Sequence, residues 1–240
     1  MIKILITLCA RGGSKGIPLK NIIKINGRPL ISYSIELAKS LLPQHMVNIA
    51  LSTDLKEIKK VAEEWGVKTL YSRPEELAGD NVGKIKTIHH LLVFEEKLHN
   101  IKYDYVLDLD ISSPLRTRQD VEKAFELIRL DSKALNLFSV NQSYKNPYFN
   151  MVEENKDGYF DLIKKLPENV LSRQDSPLVY DLNASFYWYK RSFFDKRTST
   201  PITNRSMIYV MDHICFDLDN QEDLLYLKFL IKEQRLKGIL

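Results

Sequence analysis

The residues whose types and spacing could do chemistry appear almost at once. ARGGSKGIPLKN, residues 10–21, interleaves Gly12, Gly13 and Gly16 with Arg11, Lys15 and Lys20. Glycines at such a place let backbone N–H groups approach phosphate oxygens, Arg11 can fork onto two oxygens, and Lys15 and Lys20 add point charges. The stretch has neither the GK[ST] of a Walker loop nor the G-x-G-x-x-G of a dinucleotide fingerprint. On residue types alone it is either a phosphate cradle or a solvated basic loop. A second cluster lies near the other end of the chain. Asp217 and Asp219 stand two apart, so in an extended segment both carboxylates share a face. A hard cation such as Mg²⁺ would relieve their repulsion. The plainer alternative is a pair of solvated acids ahead of a helix capped by Asp219 or Asn220. Asp108 and Asp110 form a further D-x-D, where Asp110 could instead cap a turn with Ser112.

The distribution of charge favours the cradle. The chain of 240 residues has a net charge of +4, too mild by itself for a nucleic-acid binder. All six charged residues before Glu36 are cations, so the rest of the chain is net acidic and the ligand expected at the opening loop is a small polyanion. Cys9 and Cys215 sit in apolar runs without a metal-ligand pattern, which reads as packing in a reducing, cytoplasmic setting. The apolar runs fall short of the roughly 20 residues a membrane span needs, so no membrane partner is expected.

The elements that must position these residues alternate. IKILITLCA reads as a buried strand, GRPLISYSIELAKSLL as a helix, VNIALST as a strand, DLKEIKKVAEEWG as a helix capped by Asp54 and stopped by Gly66, and VKTLY as a short strand. KIKTIHHLLVFEEKLHN, DYVLDLD, RQDVEKAFELIRL and ALNLFSV continue as helix, strand, helix, strand. Such alternation predicts an α/β fold with a mostly parallel, doubly wound sheet, whose ligands bind beyond the carboxyl ends of the strands. ARGGSKG and DLDISSPLR both fall at such ends. The pattern breaks over 142–182, where a hairpin turning near Lys156-Asp157-Gly158 is expected. The chain thus divides into a core, 1–141, an insert, 142–182, and a returning core segment, 183–240, closed by a helix over NQEDLLYLKFLIKEQRL. His89 and His90 read as structural. Tyr187, Trp188 and Tyr189 alternate across a strand.

Four blocks, in order along nearly the whole chain, carry a resemblance to a known family: ARGGSKGIPLKNI with GRPLI, SSPLR at 112–116, RQDSPLVYDLNASFY at 173–187 and FDLDNQEDL at 216–224. Together they resemble the acylneuraminate cytidylyltransferases, the CMP-sialic acid synthetase family. The wording NPYFN, LDLD-S-PLR and RQ-P-YD-NAS is most like the branch that makes CMP-legionaminic acid. The resemblance implies a Rossmann-like nucleotidyltransferase sheet with a small inserted dimerisation subdomain, hence a homodimer. It implies that the anomeric hydroxyl of a nonulosonic acid attacks the α-phosphate of CTP and releases pyrophosphate. N,N'-diacetyllegionaminic acid is the favoured acceptor, ahead of N-acetylneuraminic acid and pseudaminic acid.

Carried over residue by residue, the resemblance makes Arg11, Lys20 and Asp219 the catalytic set, with Arg11, Gly12, Gly13, Ser14, Lys15, Lys20, Asn21 and Asp80 at the nucleotide. Asp110, Arg116, Arg173 and Asn183 fall on the sugar side, and Asp217 and Asp219 hold Mg²⁺, for which Mn²⁺ could substitute. Two departures stand out. Asp110 replaces a glutamine of the better-known sialic acid enzymes, and Ala184 replaces a glycine, which is expected to keep the backbone there out of glycine-only conformations. NVGKIK after Asp80 also departs from the family pattern, and nothing is carried over onto it. The rivals from other classes are a nucleotide-binding regulatory protein without turnover and a dinucleotide-dependent oxidoreductase; the joint presence of Arg11, Lys20, Asp217 and Asp219 speaks against the first, and the missing fingerprint against the second.

Overall fold

A computed structural model describes residues 1–79, 82–168, 172–196 and 198–240. The central sheet is built from β1 (Lys3–Cys9), β4 (Met46–Ser52), β5 (Tyr105–Leu109), β6 (Asn136–Gln142), β9 (Tyr180–Lys190) and β10 (Ser206–Val210). Two small ribbons stand apart from it, β2 (Lys24–Ile25) with β3 (Arg28–Pro29), and β7 (Val152–Glu154) with β8 (Phe160–Leu162). The helices are α1 (Leu30–Ser40), α2 (Lys56–Glu64), α3 (Lys84–His99), α4 (Arg118–Leu130) and α5 (Gln221–Lys232). The sheet order is β10-β6-β9-β5-β1-β4. β1 runs parallel to β4 and β5, and β6 parallel to β10, while β9 lies antiparallel between β5 and β6.

Alternation along the strands sends side chains to two cores. Ile4, Ile6 and Leu8 of β1 pack with Leu107, Phe186 and Trp188 against apolar faces of α1, α2, α4 and α5. Leu5 and Val106 point the other way, with Tyr189, against Ile88, Leu91 and Leu92 of α3 and Phe193. Helices therefore cover both faces, as expected from the alternating pattern. Trp188 lies in the first core and Tyr189 in the second, as an alternating strand requires. His89 stacks on Phe194 at 5.5 Å and His90 Nδ1 meets the Tyr71 hydroxyl at 2.9 Å, so both act in packing.

Several local expectations are corrected. VKTLY does not join the sheet: Val67, Thr69 and Tyr71 alternate inward without pairing as a strand, and the Thr69 hydroxyl donates to the Leu51 carbonyl of β4 at 3.2 Å. Asp54 does not cap α2. Its carboxylate accepts from the Gly12 amide at 2.9 Å instead, tying the opening loop to the end of β4. Gly66 does stop the helix, at φ +81°. The hairpin turn falls where expected, with Gly158 at φ +82°. β9 begins at Tyr180, inside the segment assigned to the insert.

Ala184 does not avoid the left-handed region. It sits there at φ 56°, beside the register shift where β9 bulges against Ser139. Asn183 stabilises that bulge. Its carbonyl oxygen accepts from the Ser139 hydroxyl at 2.6 Å, and its amide donates to Asn141 Oδ1 at 2.8 Å. These bonds offset the roughly 1–2 kcal/mol that a non-glycine residue pays in this conformation.

Candidate active site

The carboxyl ends of β1, β4 and β5 meet at a cleft of about 280 Å³. Arg11, Ser14, Lys20 and Asn21 line it on one side, and Lys84, Asp110 and Ser112 on another. Gly12, Gly13 and Lys15 belong to the same loop but do not line the cleft. Asp80 lies outside the described residues.

The loop is shaped by three devices. Ile17, 1 % exposed, anchors it in the core. Leu19 adopts φ 52°, a left-handed turn that swings Lys20 and Asn21 back onto the cleft in a single 3₁₀ turn, Lys20–Ile22. Asn21 is 7 % exposed, and its amide donates to the Arg11 carbonyl at 2.9 Å, which closes the loop on itself. Buried and positioned, Asn21 is part of the site rather than the end of a turn. The third device is Gly16. A Cβ there would come 1.8 Å from the Asp219 carbonyl oxygen, so the loop and the distant acidic segment touch backbone to backbone.

That contact joins the two chemistry-bearing clusters found in the sequence. Lys20 Nζ lies 3.1 Å from Asp219 Oδ1. Leu218, fully buried, donates its backbone N–H to the Ser112 carbonyl at 2.9 Å, which fixes the segment so that Asp217 and Asp219 flank an inward leucine. Asp219 is largely exposed, whereas Asp217 lines a neighbouring depression of about 820 Å³. Asp217 Oδ1 is buried with no hydrogen-bond partner. Burial, and next the Asp110 charge, push the Asp217 carboxyl up to about 6. An orphaned carboxylate oxygen beside a second carboxylate suits a small hard cation, which commonly takes one or two carboxylates and completes its shell with water and substrate phosphate. Among the described residues no cluster of three or more acidic, His or Cys side chains competes for that role. Asn220, not Asp219, caps α5, in a reciprocal box with Asp223.

On the opposite wall Asp110 is held at about 2: burial would raise it, but Lys84, by charge and hydrogen bond, and Ser112 lower it. Ser112 donates to Asp110 Oδ1 from both its amide, at 2.9 Å, and its hydroxyl, at 2.7 Å. Asp110 therefore does cap a turn while lining the cleft. Cys9 also lines the cleft, but burial first, then the Asp108 charge, push its thiol up to about 12, so it is inert packing.

Arg116 is corrected. It is 4 % exposed, and Nη1 donates to the carbonyls of Asp110, Ser113 and Ser185 at 2.8, 2.5 and 2.8 Å, with Nη2 on the Ser34 hydroxyl. Its guanidinium knits the end of β5 to the β9 bulge and faces no cleft. Asn183 is engaged within the bulge and also lines the depression that Asp217 lines. Arg173 is exposed, donates to the Tyr144 carbonyl at 2.6 Å, and is not brought to the cleft within one chain.

Two charged cleft residues escaped sequence reasoning. Arg73, 8 % exposed, lines the cleft and is aimed by Ser52, whose hydroxyl takes Nε at 2.9 Å and whose carbonyl takes Nη2 at 2.8 Å. A signal existed: the inward alternation of Val67, Thr69 and Tyr71 continues to Arg73. Lys84, the first residue of α3, carried no signal, because its partners Asp108 and Asp110 lie on another element.

A twisted α/β sheet with a glycine-rich, cation-bearing loop at its strand ends, and a carboxylate pair against that loop, defines a protein built to hold a nucleotide polyphosphate. Residues 5–236 match the family model described as cytidylyltransferase, and the chain belongs to that family, as a CTP-dependent nucleotidyltransferase. It is 39% identical to the post-translational flagellin modification protein B of Campylobacter coli, over 99% of each chain. It is 36% identical to the CMP-N,N'-diacetyllegionaminic acid synthase of Campylobacter jejuni subsp. jejuni serotype O:2, over 98% of each. The fold is similar to that of a solved CMP:2-keto-3-deoxy-manno-octonic acid synthetase complexed with CTP, with TM-score 0.68 and 17% identity, covering 97% of this chain and 99% of that one.

Proposed function

We propose that the protein transfers CMP from CTP to the anomeric hydroxyl of a nonulosonic acid, with N,N'-diacetyllegionaminic acid the favoured acceptor. The observation that carries this reading is the backbone contact of Gly16 with Asp219, which brings the polyphosphate-type loop and the carboxylate pair into one site. Full-length similarity to a synthase named for that sugar supports the choice of acceptor. In the reaction the acceptor hydroxyl loses its proton to solvent as its oxygen bonds to the α-phosphorus, the bond from that phosphorus to the bridging oxygen breaks, and pyrophosphate leaves. Arg11 and Lys20 neutralise the triphosphate, and Asn21 and Arg73 face the nucleotide. Asp217 and Asp219 would hold Mg²⁺. When bound, that ion supplies charge neutralisation and polarisation at the reacting phosphate. With triphosphate bound, Lys20 would exchange its Asp219 partner for phosphate oxygen, and that carboxylate would then be available to hold the ion.

The insert supports a homodimer. Val152, Tyr159 and Phe160 of the hairpin are exposed, as are Tyr144 and Leu178 at its root, and a second copy would cover them. Arg173, at the same root, would then be available to the partner's acceptor. The function is tested by measuring pyrophosphate release from CTP and Mg²⁺ with a panel of nonulosonic acids and comparing kcat/KM. Release with diacetyllegionaminic acid at the highest kcat/KM is expected; CTP binding without release for any member would overturn the reading. A monomeric mass by light scattering at micromolar protein would defeat the dimer.

A further inference from the structure

Between the end of β10 and the start of α5 the chain runs without helix or strand, and this stretch, 211–220, carries Asp217 and Asp219. A few side chains hold it in place. Asn141 of β6 donates its amide to the carbonyls of Met211 and His213 at 3.2 and 3.0 Å. Farther on, the Leu218 amide reaches the Ser112 carbonyl. The tie to α4 is His213. Its Nε2 lies 3.0 Å from Asp120 Oδ2, and its Nδ1 lies 3.1 Å from the Ile214 carbonyl oxygen.

Both partners of the ring are acceptors, and neither can donate. A neutral imidazole carries one N–H and an imidazolium two. Both contacts are therefore hydrogen bonds only while His213 is protonated. In the neutral form one ring nitrogen turns its lone pair toward an oxygen, and that contact becomes repulsive. Asp120 stays ionised throughout: burial would raise its carboxyl, but hydrogen bonds from His213 and Thr117 hold it at about 2. Its Oδ2 also accepts the Thr117 amide and hydroxyl at 2.7 and 2.6 Å, and its Oδ1 the Tyr209 hydroxyl at 3.2 Å.

The hydrogen bond to Asp120 is the largest cause of the raised His213 value, and the Asp212 charge acts in the same direction. Tyr209 of β10 is pushed up to about 12, by burial first and then by Asp120, and burial raises the Cys215 thiol. Neither gives up its proton near neutrality. Asp181 of β9, Tyr226 of α5 and Arg235 just past it line the same depression as His213 and Asp217. The His213 side chain is 21% exposed and opens on that depression, so its proton passes directly to solvent.

We infer that His213 is a positioning residue for the acidic segment: as the imidazolium it clasps the segment to Asp120 of α4, and loss of its proton breaks one of the two bonds and loosens the stretch that carries Asp217 and Asp219. The consequence for turnover rests on those two carboxylates holding the cation of the proposed reaction. A histidine that only capped α4 would leave the mobility of 211–220 indifferent to pH.

The test is amide hydrogen exchange of the full-length protein, read by mass spectrometry on peptides covering 211–220 from pH 6.5 to 9 and corrected for the intrinsic exchange rate. Protection of these peptides is expected to fall on the order of tenfold across that range, while peptides of β1 and α3 hold steady. His213→Gln should show the low protection at every pH. Asp217, pushed up to about 6, titrates at the acid end of the range in both proteins, so the difference between them reports His213. The Mg²⁺ concentration for half-maximal pyrophosphate release should rise several-fold with pH in the unmodified protein and be high and flat in the variant. If His213→Gln fails to fold, as judged by a CTP-induced thermal shift, Asp120→Asn carries the test, because it keeps an acceptor for Thr117 and removes the charge opposite the imidazolium; the same flattening is expected. Protection of 211–220 that does not change with pH would overturn the inference, as would a variant that keeps the pH-dependent loss. An altered protection with unaltered Mg²⁺ demand would overturn the link to the cation. Absence of pyrophosphate release with every acceptor would sink the functional reading while leaving the exchange result to decide the clasp.

Discussion

Gly16 is the position where one added methyl group should separate the two halves of the site. Its Cβ would stand 1.8 Å from the Asp219 carbonyl oxygen and 3.0 Å from the Asp219 carbonyl carbon. Both are backbone atoms, so no side-chain rotation relieves the clash, and the segments must part by about 1.5 Å to restore ordinary van der Waals contact. The Lys20–Asp219 gap is 3.1 Å, so a parting of that size takes it out of hydrogen-bonding range. Overpacking of this kind costs about 1–3 kcal/mol of stability. Displacing reacting groups by more than an ångström lowers turnover on the order of a hundredfold. Gly16→Ala is therefore expected to remain folded, lose about two decades of kcat for pyrophosphate release, and need more Mg²⁺ for half-maximal rate. A folded Gly16→Ala protein with unaltered kcat and Mg²⁺ dependence would refute the claim that loop and acidic segment act as one site.

Three further outcomes follow from the geometry. Asp219→Ala should abolish Mg²⁺-dependent turnover while leaving the melting temperature nearly unchanged, because the side chain is 71% exposed; substantial Mg²⁺-supported turnover would remove Asp219 from the metal site. Arg116→Met should act on stability rather than on acceptor binding, costing about 3 kcal/mol by denaturant titration, because three buried carbonyls lose a charged donor; a change confined to the acceptor KM would restore Arg116 to the sugar site. His213 lies 3.0 Å from Asp120 Oδ2, and the hydrogen bond to Asp120 raises its imidazole above the ordinary value. The raised folded-state value means that this pair stabilises fully below the unfolded histidine value of about 6.5 and loses its contribution as pH rises through the folded one. Melting temperature should therefore fall on going from pH about 6 to 8, and His213→Gln should flatten that fall; an unchanged slope would show that the pair does not hold the segment leading to Asp217.

Most of the fold could be read from period and punctuation. Apolar runs placed β1, β5 and β6, and α4 runs over the same 13 residues that its amphipathic pattern marks. VKTLY failed because inward alternation specifies burial but not ladder pairing, which needs a neighbour at the correct height. Asp54 failed as a helix cap because a carboxylate next to a helix start can bond any nearby amide, and the fold brought Gly12 to it. Ala184 failed because a side-chain argument about backbone freedom ignores what neighbours can stabilise, here the bonds of Asn183 across the bulge.

The sequence by itself determined the alternating α/β order, the cation-rich glycine loop after the first strand and the paired carboxylates before the last helix, because each is a local pattern of residue type and spacing. Tertiary structure alone decided which of these groups meet. It brought Gly16 against Asp219 across some two hundred residues of chain, turned Arg116 inward onto carbonyls, and aimed Arg73 from Ser52. It also set Lys84 between Asp108 and Asp110. Spacing along a chain fixes the face of an element on which a side chain lies; the partner on another element is set by how the sheet orders its strands and packs its helices, and in this protein that ordering makes the site.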